Sequence, residues 1–257
     1  MGFRPQRAAN IMLADDKISF EEFEAYKHDT KMEMAARLLD DLLALETPET
    51  NGLLKEAFTL LKSWDGRTEV DSEGALLFAN WHLKMTKGDY ETEAFFAEPW
   101  SFDNPATTPD GLKDKAAALK ALQTAATEIK FGYGKLNVPW GQVNRLSFGE
   151  HDVAGNGGYG WLGQFRTVYY QPLGKRGTIE SLKNRAVAGE TYVAIIEFGD
   201  RPKAKALLTY GNATQKGNPH VGDQLELFSQ KKLRPVWYER AEVEANVEKK
   251  EVINRNN

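Results

Sequence analysis

Apolar residues recur at two different spacings along this chain, and the change falls near residue 135. Before it they come three and four positions apart, the period of a helix with one buried side. From Met32 to Leu45, the residues Met34, Leu38, Leu39, Leu42 and Leu45 share one helical face. A second stretch runs from Leu53 to Trp64 and stops at Asp65-Gly66, a turn signal that also ends a helix. Ser72 and Glu73 open a third, from Ala75 to Met85. Ser19, followed three residues later by Glu22, makes a capping box in front of Phe20 and Phe23. Thr108-Pro109-Asp110 reads as a helix start with Pro at the first helical position, opening an Ala-rich helix to about Lys130. Thr86 to Thr107 mixes aromatic and polar residues without a period and reads as a packed, irregular connection.

After residue 135 glycine becomes frequent and the apolar runs are short, β-branched or aromatic. The pattern predicts strands over Gln142–Phe148, Gly163–Tyr170, Thr191–Phe198, Ala204–Tyr210 and Leu233–Arg240. Gly155-Asn156-Gly157-Gly158 and Gly174-Lys175-Arg176-Gly177 read as turns between them. Thr191–Phe198 and Ala204–Tyr210, joined across Gly199-Asp200-Arg201-Pro202, are expected to pair as an antiparallel hairpin. The expected organisation is therefore α+β: residues 1–135 helical, 136–240 antiparallel β, and 241–257 a charged tail.

Composition narrows the classes. The chain has 257 residues, 41% hydrophobic and 27% charged, within the range of ordinary globular proteins. Its net charge is −4, so there is no basic excess to attract a phosphate backbone, and nucleic acid is not an expected partner. No apolar run approaches the length that spans a bilayer, so no membrane partner is expected either. Cysteine is absent, which removes disulfides, thiol nucleophiles and thiolate metal sites together. Met1-Gly2-Phe3-Arg4-Pro5 lacks the apolar core of a signal peptide, and a helical pattern is under way by about Arg7. That start is the first sign that the chain is a fragment.

The candidate chemistry is thin. Asp15 to Phe23 resembles the end of a calcium loop, but counting back from Glu22 puts Ile11 and Leu13 where ligands are needed and Asp16 where glycine is needed; a capped helix start is the better reading. The histidines His28, His82, His151 and His220 have no metal-ligand spacing. His82 sits in an apolar helical stretch and reads as a packing or surface residue; His151 reads as part of a solvated Gly-rich loop. The Gly155–Gly160 region leads into a strand rather than a helix, which argues against a nucleotide fingerprint. Asp40-Asp41 and Glu21-Glu22 are adjacent on helices, so each pair diverges and reads as a solvated face. No cofactor and no metal are expected, and the residues alone reveal no complete catalytic set.

Several segments, in order, resemble the penicillin acylase family of N-terminal-nucleophile hydrolases. Arg7-Ala8-Ala9-Asn10-Ile11, then Lys17 to Phe23 and a Leu-rich helix, resembles the helical stretch in the middle of that family's β-subunit. Leu61-Lys62-Ser63-Trp64-Asp65-Gly66 resembles its Leu-x-x-Trp-Asp-Gly turn. Pro139-Trp140-Gly141 with Arg145-Leu146 is similar to a segment of the acyl-homoserine-lactone and aculeacin acylase branch. The most specific stretch is Tyr210 to Thr214, then Asn218-Pro219-His220, then Asp223 to Phe228. It departs from the family at Asn212-Ala213, where Gln-Ser is usual, and at Val221-Gly222, where an aromatic is common.

The resemblance implies the C-terminal part of the β-subunit, within a four-layer helix–sheet–sheet–helix sandwich. It implies cleavage of N-acyl amides such as acyl-homoserine lactones, lipopeptides or β-lactams, by an N-terminal Ser whose α-amino group is the base. A backbone N–H and an Asn side chain stabilise the oxyanion. Met1 is no such nucleophile, and the Asn belongs to a segment upstream of Arg7. One active-site residue carries over: Arg7, whose fork of donors would orient that Asn and the α-amino group. Arg7 reads equally as a solvated arginine at a helix start. The implied partners are the α-subunit and N-terminal β-subunit portion of the same acylase and an N-acyl amide substrate; the implied location is periplasmic or secreted. The rival class is a non-catalytic binding or scaffold module that keeps the fold. A partial sandwich should leave one sheet edge unpaired and one apolar face uncovered.

Overall fold

A computed structural model describes residues 1–89, 93–173 and 182–252. The helical part is built from α1 (Phe3–Leu13), α2 (Phe20–Lys27), α3 (Glu33–Leu43), α4 (Gly52–Lys62), α5 (Ala75–Met85) and α6 (Lys115–Tyr133). Helix α2 starts with the capping box anticipated at Ser19 and Glu22, each satisfying the other's backbone N–H. Helix α3 buries Met34, Leu38 and Leu42, the face marked by its periodicity. Helix α6 buries Ala118, Ala121, Leu122, Ala125 and Ile129, a seam of mostly small residues that lets α5 pack closely against it. Trp81 of α5 lies across that seam and donates from Nε1 to the Ala118 carbonyl at 3.1 Å.

The start of α6 differs from the sequence reading. The Thr108–Pro109 bond is cis, and Asp110–Leu112 is a strand, β2, that pairs antiparallel with β1 (Phe96–Glu98). The helix begins five residues later at Lys115, capped by the Asp114 carboxylate, which accepts from Ala117 N at 2.9 Å. Pro109 thus turns the chain between elements instead of opening a helix. The Leu112 N–H is accepted by Asp41, so that carboxylate tethers the β1–β2 pair and is more than a solvated face. The stretch read as wholly irregular, Thr86 to Thr107, holds β1.

The second part continues with a short helix α7 (Trp140–Val143), then β3 (Asn144–Phe148), β4 (His151–Ala154), a 3-10 turn at Gly160–Leu162, β5 (Val168–Pro172) and β6 (Asn184–Gly189). These strands form one sheet in the order β4-β3-β6-β5. Its β3–β6 pair is parallel, with Asn144 opposite Asn184, so the expectation of purely antiparallel pairing fails at this position. His151 lies in strand β4 rather than in a loop. The run from Gly163 becomes a strand only at Val168, because Gly163 sits at φ +89° against α3. A Cβ there would lie 2.6 Å from the Glu33 Cβ and 2.9 Å from the Phe3 Cβ. Glycine alone lets this turn close onto α1 and α3. The Gly174-Lys175-Arg176-Gly177 turn lies outside the described residues.

The second sheet has the order β7-β8-β9, from Tyr192–Glu197, Lys203–Leu208 and Arg234–Pro235. Strands β7 and β8 form the expected antiparallel hairpin, with Tyr192 opposite Leu208 and Ile196 opposite Ala204. A helical turn, α8 (Leu225–Ser229), and a surface helix, α9 (Arg240–Ala245), complete the chain. Alternation along the hairpin sends Val193, Ile195 and Leu207 into the core. Tyr192, Ile196 and Leu208 point the other way, 62%, 50% and 37% exposed, beside Phe198 at 87%. Helix α2 packs on the hairpin and adds ion pairs from Lys203 to Glu21 and from Lys205 to Glu24.

A contiguous apolar sheet face beside an outer strand favours association. The purified chain should self-associate at micromolar concentration in sedimentation velocity, and Ile196→Lys should shift it toward monomer with unchanged circular dichroism. A monodisperse wild-type monomer at high concentration would show that the face is tolerated in water.

Candidate functional site

Arg7 lies on α1, in the wall of an open groove of about 600 Å³ that also reaches Ile11, α2, Arg67 and Lys231. Its side chain is 15% exposed. The guanidinium makes a bidentate pair with Asp29: Nε donates to Oδ1 at 2.7 Å and Nη2 to Oδ2 at 3.0 Å. The third nitrogen, Nη1, is 3.9 Å from Glu33 Oε2, outside hydrogen-bond range. Burial works against the charge on Arg7, but the bond to Asp29 and the nearby carboxylates outweigh it and raise its pKa above the ordinary value.

Asp29 is shared. Arg67 Nη1 donates to its Oδ2 at 3.0 Å. Arg67 is delivered by the Trp64-Asp65-Gly66 turn. There Trp64 Nε1 donates to the Arg67 carbonyl, Asp65 accepts from Arg67 N, and Gly66 takes φ +79°. The Gly66 carbonyl in turn accepts from Met32 N, tying the turn to the segment that carries Asp29. Burial by itself would raise the Asp29 pKa, yet the two guanidiniums hold it below the usual carboxylate range.

Behind the groove a third arginine, Arg166, is fully enclosed. The Arg166 backbone N–H donates to the Asp29 carbonyl at 2.9 Å. Its Nη1 meets His28 Nδ1 at 2.6 Å, its Nη2 donates to the Phe228 carbonyl, and its guanidinium lies 4.0 Å over the Phe228 ring. Arginine can only donate, so His28 Nδ1 accepts and the proton of the neutral ring sits on Nε2. Burial, with the Arg166, Lys27 and Lys231 charges, pushes His28 down to about 3. His82 is likewise pushed down to about 4 by burial. Nothing in the sequence pointed to Arg166 or Asp29, because both are defined by partners far away in the chain.

Around the groove the resources are guanidinium donors, carboxylates, one ammonium, the Tyr26 phenol and a neutral imidazole. None of its lining residues is Ser, Thr or Cys. Such a set can orient an oxygen-bearing group. Glu33, 3% exposed, holds the underside: its Oε1 accepts from Asn10 at 2.9 Å and from Arg37 at 2.8 Å. Among the described residues no cluster of three or more His, Asp or Glu could hold a metal ion, and no helix is long and apolar enough to cross a membrane.

The other segments singled out in the sequence are close-packed corners. Gly141 meets the Val70 carbonyl so tightly that a Cβ would lie 2.9 Å away. Gly211, at φ +83°, would put a Cβ 2.2 Å from the His220 carbonyl. Asp223 pairs with His220, and Gln224 accepts from Leu208 N at 3.0 Å, so the Tyr210–Phe228 stretch clasps the end of β8. A family model described as penicillin amidase matches residues 1–245. The chain belongs to the penicillin amidase family. A relative named acyl-homoserine lactone acylase PvdQ, from Pseudomonas fluorescens (strain Pf0-1), is 25% identical over 255 residues, 96% of this chain and 32% of the relative. Aculeacin-A acylase of Actinoplanes utahensis is 26% identical over 227 residues, 84% of this chain and 27% of the relative.

The chain therefore spans about a third of the length of these curated relatives. A thermostable penicillin G acylase from Alcaligenes faecalis superposes with a TM-score of 0.50, covering 100% of this chain and 53% of that one at 15% identity. That likeness concerns the fold, which is the α+β arrangement of this amidase family. The family motifs quoted from the sequence thus map onto turns that hold this fold, and the Trp-Asp-Gly turn also presents Arg67 to Asp29.

The groove and the two buried histidines generate two predictions. Asp29→Asn removes the shared counter-charge from Arg7 and Arg67 and should lower unfolding free energy by about 3 kcal/mol in urea titrations, the lower end for a broken buried pair. An effect within error of zero would show that solvent replaces the carboxylate. The histidines set an acid limit. In the unfolded chain they protonate near pH 6.5, while the folded chain keeps them neutral to about 4 for His82 and about 3 for His28. The unfolded state thus binds more protons in this window, and stability falls as pH falls from 6.5. Each histidine should remove about 1.5 kcal/mol between pH 6.5 and pH 5. Urea midpoints measured across that range should flatten by about half in His82→Phe.

Proposed function

We propose that this chain is the C-terminal structural portion of an acylase that hydrolyses the amide between an acyl chain and an amine, and that it is inactive alone. The observation that carries this reading is the penicillin amidase match over residues 1–245, in a chain that spans about a third of its curated relatives. The geometry of Arg7 supports its assignment to the catalytic site. Two of its nitrogens are locked on Asp29, its plane is fixed, and Nη1, 3.9 Å from Glu33 Oε2, makes no hydrogen bond among the described residues. A guanidinium held in this way can orient an amide oxygen and a neighbouring amine.

The groove lining holds no Ser, Thr or Cys; on this reading the upstream α-subunit and N-terminal β-subunit portion is the partner that supplies the nucleophile and the oxyanion donors. Two of the relatives are named for acyl-homoserine lactone and aculeacin A, which favours a long-chain N-acyl substrate over a β-lactam. A periplasmic or secreted location goes with this reading.

The purified chain should release no amine from an N-acyl-homoserine lactone or a phenylacetyl amide. Co-expressed with the upstream portion, it should become active, and Arg7→Lys should then lower kcat at least about tenfold without unfolding the protein, because lysine cannot reproduce the bidentate geometry. Turnover by the chain alone that survives repurification and is abolished by Arg7→Ala would overturn the assignment of the nucleophile to the partner.

A further inference from the structure

Every residue from Arg240 to Val252 is exposed, and α9 buries none of its side chains. Apolar burial therefore contributes little to holding this end of the chain against the rest. The contacts that hold it are charged. Arg201, in the turn between β7 and β8, donates from Nη2 to Glu242 at 2.9 Å, and its Nε lies 3.5 Å from Glu239. Beyond α9, Glu248 Oε2 lies 3.2 Å from His220 Nε2. The next residue, Lys249, pairs with Glu251 inside the tail itself.

His220 is fixed without help from the tail. Its N–H donates to Asn218 Oδ1 at 2.9 Å, and its carbonyl accepts from Ala213 N at 3.3 Å. Its ring Nδ1 lies 2.9 Å from Asp223 Oδ2. Each ring nitrogen thus faces a carboxylate oxygen, and an ionised carboxylate only accepts. Both contacts are hydrogen bonds only when both nitrogens carry protons, which is the imidazolium. The bond to Asp223, followed by the Glu248 charge, raises the His220 pKa above its ordinary 6.5. From strand β4, His151 packs against Gly222, two residues along the same turn.

We propose that His220 is a pH-operated latch for the C-terminal tail: the protonated ring bridges Asp223 and Glu248 and holds residues 246–252 down, and the neutral ring keeps Asp223 and releases Glu248. A neutral imidazole has one N–H and can serve one of the two carboxylates. Asp223 is three residues away in the same turn, so keeping it costs little order. Keeping Glu248 means ordering a segment with no buried residue. The bare Nε2 lone pair then faces the Glu248 oxygen and repels it. The latch is closed below 6.5 and opens as pH rises through the folded-state pKa of His220, the direction set by a pKa raised on folding. Arg201 stays charged throughout, so α9 remains attached and the opening is confined to the segment beyond it. None of these residues lines the Arg7 groove, so the latch does not rest on the acylase reading.

The chain has no cysteine, so Val252→Cys in the 257-residue protein carries a single nitroxide spin label on an exposed site. Its electron paramagnetic resonance spectrum is recorded from about pH 5.5 to about pH 8.5, beside the NMR titration of the carbon-bound ring protons of His220. The label should be restricted at the acid end. Its rotational correlation time should shorten at least about twofold toward the alkaline end, with the midpoint of the His220 titration. Glu248→Gln, a change at an exposed position, should leave the label mobile across the whole range and lower the His220 midpoint by about half a pH unit. His151→Gln should leave the midpoint of the label where it is. A label whose mobility is the same at both ends, a midpoint that does not follow His220, or a Glu248→Gln protein whose label titrates like the unsubstituted one would overturn the proposal.

Discussion

The corner His28-Asp29-Thr30 is where the helical layer and the sheets are joined, and most of the architecture leans on the charges gathered there. The Asp29 carboxylate lies between the guanidiniums of Arg7 and Arg67, so one side chain ties α1 to the Trp-Asp-Gly turn. The main chain of the same corner is occupied too: Asp29 O accepts from Arg166 N, and Thr30 O accepts from Thr68 N. Removing these charges from water is unfavourable, and only the full set of hydrogen bonds offsets it. Such a corner tolerates few alternative packings, which is how it can fix the direction of a side chain at the surface.

Arg166 shows the same constraint from the inside. Its guanidinium is completely enclosed, and among the described residues no carboxylate lies within ion-pairing distance; its donors go to an imidazole and a carbonyl, and Phe228 lies against its face. Burial lowers its pKa from the ordinary value. The neutral His28 is what makes the arrangement possible, because a protonated ring would place two cations in contact. The link between Arg166 and the Arg7 groove is thus one of proton bookkeeping, and it runs through a single imidazole whose tautomer the arginine dictates.

Three glycines, two of them in the family segments, act through space rather than through flexibility alone. Gly163, Gly141 and Gly211 each sit where a Cβ would meet backbone or a buried side chain within 3 Å. They allow a turn to lie flat against α3, a short helix to touch Val70, and the C-terminal clasp to close on β8. The motifs at Gly141 and Gly211, by which this chain resembles the penicillin amidase family, are consequently motifs of packing.

Local pattern determined a good deal. Helical periodicity located α3, α4 and α5, the Ser19–Glu22 box located the start of α2, and the β7–β8 hairpin followed from two alternating runs across a turn. These features depend on neighbours within a few residues, so they are legible in one dimension. The tertiary structure decided the rest. Thr108-Pro109-Asp110 has the local form of a helix start, but pairing of Asp110–Leu112 with β1 and the tether to Asp41 won. The strand β6 and its parallel pairing with β3 were invisible, because a parallel ladder is specified by a distant partner. At the site, the sequence singled out Arg7 and said nothing of its environment. That Arg7 is clamped by a carboxylate 22 positions away, and that the main-chain carbonyl of the same residue accepts from Arg166 N more than a hundred positions further on, depends on contacts that exist only once the chain is folded.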